Sequence, residues 1–213
     1  MTKTVHLAVY DTFSDWETGY ATAHIHRELW QREPGTWQVK TVGPSIEPVT
    51  SMGGMRIVPD LALADLAPQD SAMLILPGSA TWETGALAAF ADKAREFLAA
   101  GVPVAAICGA TFGLASAGLL DARAHTSNAA QYLAMSGYSG GEHFSHEPAV
   151  IDGDLITATG TSPVDFARAI FARLELFEPR VLEAWFALYK DNDPAGFFAL
   201  AEYEQARTAG PVA

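Results

Sequence analysis

The sequence predicts an α/β protein with a mostly parallel sheet and helices on both faces, and three observations carry that prediction. Short apolar runs at 5–10, 72–76 and 103–107 read as buried strands. Segments with helical spacing separate them, among them 86–100 and 163–176. Each run also stops abruptly, at 11–15, at Pro77-Gly78-Ser79 and at Cys108-Gly109. Alternation of this kind packs helices onto a parallel sheet, and ligands gather outside the C-terminal ends of its strands.

The chain has 213 residues, enough to bury a sizeable core in one α/β domain. With 49% apolar and 18% charged residues it matches neither a disordered chain nor a coiled coil. A net charge of −12 repels phosphate backbones and anionic lipid, so no nucleic acid and no membrane surface is expected as partner. One cysteine forms no internal disulfide. The opening residues are too short for a signal-peptide core, and no run reaches transmembrane length. A cytoplasmic location is the expectation.

In order, the first strand (5–10) leads into a loop and a helix from Trp16-Glu17, with Ser14 or Asp15 as cap. Trp16, Tyr20, Ala23, Arg27 and Trp30 run down one side of that helix, and Pro34-Gly35 ends it. Residues 37–43 alternate as a second strand, and 47–50 with 55–59 read as a small hairpin. A short helix is predicted at 61–66, then the 72–76 strand and the 86–100 helix closed by Gly101. The 103–107 strand turns at Cys108 into a helix over 110–117. A short strand at 124–127, a helix at 129–135 and a hairpin of 149–151 with 155–158 follow. The helix at 163–176 accepts Pro163 in its first turn. Residues 1–176 form the α/β domain. Residues 177–213 form a helical extension, 181–190 and 197–207, whose aromatic residues must bury against the domain or a partner subunit.

A lone cysteine beside an apolar run is most often a small buried hydrophobe. Cys108, however, sits where a strand becomes a helix, near a helix N-terminus whose partial charge favours a thiolate. Two other strand ends, at Asp15-Trp16-Glu17 and Pro77-Gly78-Ser79, converge on the same edge. Metal binding is not indicated. His24 and His26, two apart on a helix, point to different sides, and His143 with His146 lies in a loop.

These segments resemble the ThiJ/PfpI superfamily, the class I glutamine-amidotransferase-like proteins that include the PfpI intracellular proteases and the parkinsonism-associated protein deglycase. The resemblance rests on residues 5–10 with Asp15-Trp16-Glu17, on Leu74-Ile75-Leu76-Pro77-Gly78 and on Ala106-Ile107-Cys108-Gly109-Ala110. It continues through Ala117-Gly118-Leu119-Leu120-Asp121 and His125-Thr126-Ser127-Asn128 to Asp152-Gly153-Asp154-Leu155-Ile156-Thr157-Ala158. It implies a flavodoxin-like three-layer sandwich with a reactive cysteine at the elbow, matching Cys108. An acidic partner would match Glu17, and an oxyanion hole would come from the Gly78, Ser79 and Gly109 amides. Asp15, Trp16, Trp82, Thr111, His125 and Asn128 are candidate pocket residues. Asp15 reads as a cap, although isocyanide hydratases of the superfamily use an aspartate nearby.

The departures are specific. Gly109 stands where many hydrolytic members have histidine, and Asn128 where others have one, so peptidase activity is not expected and no general base is evident. Ala106 and Ala110 replace the glycines of a true amidotransferase elbow. The sequence therefore points to a cysteine-dependent hydrolase or lyase-like enzyme acting on a small carbonyl or amide. The alternative is a stress-response or redox-sensing protein that oxidises Cys108 without turnover. No organic cofactor or metal is implied, and a homodimer is expected.

Overall fold

A computed structural model describes residues 2–209. Its elements are β1 (Lys3–Ala8), α1 (Asp15–His26), β2 (Trp37–Gly43), β3 (Val49–Thr50), β4 (Arg56–Ile57), β5 (Leu61–Ala62) and β6 (Met73–Leu76). Then come α2 (Ala88–Ala99), β7 (Val104–Ile107), α3 (Gly109–Ser116), α4 (Ala130–Ala134), β8 (Ala149–Asp152) and β9 (Leu155–Ala158). The chain continues with α5 (Pro163–Leu174), α6 (Pro179–Asp191) and α7 (Pro194–Ala209).

The strands form a seven-stranded sheet in the order β5-β2-β1-β6-β7-β9-β8, parallel except for the β8 edge. Every residue of β6, β7 and β9 is buried, as expected of short apolar strands covered on both faces. On one face α1 packs beside α5; on the other α2 packs with α3. The sheet carries the flavodoxin-like sandwich that the resemblance implied. The chain runs outward from β1 through β2 to β5 on one side, then returns to β6 on the other side of β1, which makes the β1–β6 border the topological switch point.

Some elements differ from the sequence reading. The first helix stops at His26 because the buried Gln31 amide donates to the carbonyls of His24, Ile25 and Arg27, ending it four residues before Trp30. Residues 61–66 are not one helix. Leu61 and Ala62 pair with Val42 and Gly43 on the free edge of β2, and a single 3-10 turn follows. The expected strand at 124–127 is reduced to a bridge between His125 and Phe144, since Thr126 N–H turns instead to the Thr157 hydroxyl. Both hairpins form as read.

The C-terminal helices lie on the α5 side, α6 against α5 and α7 against α6. Trp185 and Leu200 are buried there. Among the described residues, no helix is long and apolar enough to cross a membrane.

Candidate functional site

Sheet register assembles the site. Leu76 pairs with Ala106 and Ile107 with Ala158, so the chain just beyond β6, β7 and β9 places Gly78, Cys108 and Gly160 side by side. These approaches are tight. A Cβ on Gly78 would lie 2.9 Å from both Cys108 Cβ and Glu17 Oε1, and one on Gly160 would lie 2.8 Å from Cys108 Sγ. Glycine is required at both positions because the thiol occupies the space a side chain would need.

Cys108 itself has φ 58° and ψ −126°, a conformation that L residues rarely adopt. Such strain persists only where the surroundings impose it, and it commonly marks functional turns. Three contacts impose it. The Cys108 N–H donates to Ala158 at 3.0 Å, and its carbonyl accepts from the Thr111 N–H at 3.1 Å. That carbonyl also accepts from the Thr111 hydroxyl, which is linked in turn to Ser127 at 2.6 Å.

Glu17, in the first turn of α1, is 1% exposed. Its Oε2 accepts from Gly78 N–H at 2.6 Å, while Oε1 has no well-aligned donor and faces the thiol. Burial pushes the Glu17 carboxyl up to about 6, against the pull of the Gly78 amide. The same burial, together with the Glu17 carboxylate, pushes the Cys108 thiol up to about 11. Two acids this close titrate as a pair. Near neutral pH the pair holds one proton between them. Asn128 flanks the other side: its Nδ2 donates to Cys108 Sγ at 3.3 Å and its Oδ1 accepts from Gly160 N–H at 2.9 Å.

The profile of the DJ-1/PfpI family matches residues 3–173. The chain belongs to that family. It is 38% identical to Bacillus subtilis YoaZ over 202 residues, 93% of this chain and 96% of that protein, whose name reads "uncharacterized protease". A ThiJ/PfpI family protein from Bacillus anthracis superposes with a TM-score of 0.89 at 38% identity, covering 96% of this chain and 98% of its own. A DJ-1 superfamily protein from Agrobacterium tumefaciens gives 0.79 at 34% identity, covering 90% and 99%.

Within this DJ-1/PfpI site the candidate residues separate. Cys108, Glu17, Gly78, Gly109 and Asn128 come together, whereas others stand elsewhere or act differently. The expected lowering of the Cys108 thiol by the helix end is reversed, because burial and the facing carboxylate outweigh the Gly109 and Asn128 donors. Gly78 does not offer a free amide to an anion, since its N–H is taken by Glu17. Ser79 and Gly109 lie against each other: a Cβ on Gly109 would lie 3.1 Å from the Ser79 carbonyl oxygen and 3.4 Å from its nitrogen.

His125 does not reach the thiol. It is fully buried, with Nδ1 against the Arg123 carbonyl at 2.7 Å and Nε2 against Tyr138 Oη at 3.0 Å. Trp82 is 2% exposed, and its indole N–H bonds Pro77 and Tyr10; it lines a depression of about 550 Å³ with Glu83, Phe112 and Gly113, and the lining of that depression does not include Cys108. Thr111 braces the elbow instead of lining a pocket. Asp15 caps a different element: its carboxylate accepts from Gly53 N–H at 2.5 Å, tying the hairpin turn to α1. Trp16 does sit at the rim, half exposed, with its indole N–H on the Gly160 carbonyl at 3.3 Å.

Sequence reasoning missed Gly160, which touches the thiol from the loop after β9, although a glycine between two threonines past a strand end was its available signal. Among the described residues, no group of three or more His, Cys, Asp or Glu side chains is arranged to hold a metal. A separate depression of about 590 Å³ opens at the opposite ends of β1 and β6, lined by His6, Lys40 and Ser71.

Proposed function

We propose that this DJ-1/PfpI protein is a cysteine-dependent hydrolase or lyase-like enzyme for a small carbonyl or amide, with Cys108 as nucleophile and Glu17 as proton partner. One observation carries the reading: Glu17, 1% exposed, aims an unpartnered carboxylate oxygen at a thiol on a strained elbow. Burying a carboxylate without a countercharge costs stability, as does a non-glycine residue at positive φ. Packing gains nothing from either.

In the proposed chemistry, sulfur bonds to the carbonyl carbon while its proton passes to Glu17 Oε1. The carbonyl oxygen takes the electron pair and meets the Gly109 and Ser79 amides. Glu17, with its carboxyl held near 6, then returns the proton to the adduct or to a leaving nitrogen. A group of this acidity gives and takes a proton readily near neutral pH. No histidine contacts the sulfur, so Glu17 serves alone, which suits small substrates better than peptides.

We further propose a cytoplasmic homodimer, supported by Phe197 and Phe198 on α7, which are 55% and 68% exposed. Methylglyoxal consumption by the native protein and by Cys108→Ser tests the enzymatic reading. Loss of consumption in the variant supports it, and equal rates would sink it for reactive carbonyls.

A further inference from the structure

Five segments form the site and its rim: residues 10–17, 77–85, 107–112, 125–132 and 158–162. None of the chain's 13 lysine and arginine residues lies in any of them. They carry four acids: Asp11, Asp15, Glu17 and Glu83. Asp11, Asp15 and Glu17 accept from the backbone amides of Thr50, Gly53 and Gly78, which leaves their charge uncompensated. None of the four belongs to an ion pair among the described residues. Arg56, exposed on β4 opposite Thr50, and Arg95, which lines a depression beside Glu83, are neighbouring cations, so the four acids outnumber them two to one.

Two rim residues give this field a direction. Glu83 follows Trp82, whose ring edge lies against Gly109, and its carboxylate stands against the Tyr132 hydroxyl. Tyr132 in turn packs on Phe112 of α3 at 5.3 Å between ring centres. Trp16 offers a half-exposed indole on the other side, anchored to Gly160. An acidic rim beside an exposed indole suits a cation, through the field of the carboxylates and the face of the ring. It repels an anion. The buried, unpartnered Glu17 oxygen adds a negative acceptor at the centre of the site.

We infer that the site is charge-selective: it admits amine-bearing and uncharged electrophiles to Cys108 and repels carboxylate-bearing ones, with Glu83 and Trp16 as the specificity-determining residues. The inference rests on the reading of Cys108 as the reacting group.

Three methanethiosulfonate reagents of similar size test it: aminoethyl (cationic), methyl (neutral) and sulfonatoethyl (anionic). In each case the Cys108 sulfur bonds to the sulfenyl sulfur, methanesulfinate leaves with the electron pair, and the thiol proton goes to Glu17 or solvent. Mass spectrometry reads the product at the single cysteine. Relative to a small free thiol, the cationic reagent is expected to outpace the anionic one by about tenfold or more at low salt, narrowing as salt is added. Glu83→Gln and Trp16→Leu should each narrow the ratio, whereas the distant Glu142→Gln should not. Equal corrected rates for all three reagents, or ratios untouched by both rim variants, would overturn the charge selectivity while leaving the reactive thiol in place. No modification by any reagent would overturn the reading of Cys108 itself.

Discussion

Asn128 donates its side-chain N–H to Cys108 Sγ at 3.3 Å and, through its other terminus, accepts from Gly160 N–H at 2.9 Å. An amide therefore occupies the side of the sulfur where a histidine base would stand. It supplies a donor that favours the thiolate, but it takes up no proton. The proton must go to Glu17, the other group facing the sulfur.

The first prediction follows from that donor. Asn128→Ala removes a bond that lowers the thiol, and Asn128→Asp adds a like charge beside it. The midpoint of iodoacetamide alkylation against pH should rise by about one unit in the alanine variant and further in the aspartate variant. An unchanged midpoint in both would remove Asn128 from the control of the thiol.

Glu17→Gln separates acidity from turnover. Removing the carboxylate takes away a cause of the raised thiol, so the Cys108 midpoint should fall from about 11. A fall of about one to three units is expected from an opposing charge this close. The thiolate becomes commoner, yet the group that returns the proton is gone. Faster alkylation together with a carbonyl turnover lower by about a hundredfold is the expected pair of results. Faster turnover would show that Glu17 only restrains the thiol.

Stability should respond to pH through Glu17 and His24, with opposite signs. The Glu17 carboxyl is raised in the folded state, from 4.5 to about 6. Its contribution is fully present below about pH 4.5 and is lost as pH climbs through 6, a change of about 2 kcal/mol. Glu17→Gln should therefore be the more stable protein at pH 7.5, by about that amount, with the gap closing at pH 4.5. His24, stacked on Trp30 and edged by Phe171, Trp185 and Tyr189, is lowered by burial to about 4. Its contribution is present above pH 6.5 and falls by about 3 kcal/mol as pH drops toward 4. His24→Phe should flatten that acid limb in thermal melts followed by tryptophan fluorescence.

The sheet and the place of the thiol were legible in the sequence because buried parallel strands are continuous apolar runs, and the breaks in them mark the functional edge. Val104–Ile107 and Met73–Leu76 stand where their hydrophobicity put them. What was not legible depends on side-chain direction. His125 and Asn128 lie three residues apart, and sequence alone does not say which one faces the sulfur. The ring of His125 is claimed by Arg123 and Tyr138, while Asn128 reaches the site. Likewise Gly78 looked like a free anion donor, because no local pattern tells that Glu17, 61 residues earlier, accepts from its amide. The sign of the thiol shift also lay beyond sequence, since it depends on how deeply Cys108 and Glu17 are buried together.

Gly160 provides the sharpest steric test. A Cβ there would meet Cys108 Sγ at 2.8 Å and Cys108 Cβ at 2.9 Å, closer than such atoms approach. Relief requires either the 159–161 loop or the thiol to move. Moving the loop breaks the Asn128 bond to Gly160 N–H and the Trp16 bond to its carbonyl. Moving the thiol takes sulfur off the Glu17 oxygen. Either way the sulfur loses its alignment while β9 and the core stay intact, so Gly160→Ala should lower turnover by about tenfold or more at a stability cost of only about 1–3 kcal/mol. Turnover is measured against the melting temperature of the same preparation. Native turnover at a lowered melting temperature would mean that the clash is relieved away from the sulfur, and the geometry assigned to the Cys108–Asn128–Gly160 contact would then not govern the reaction.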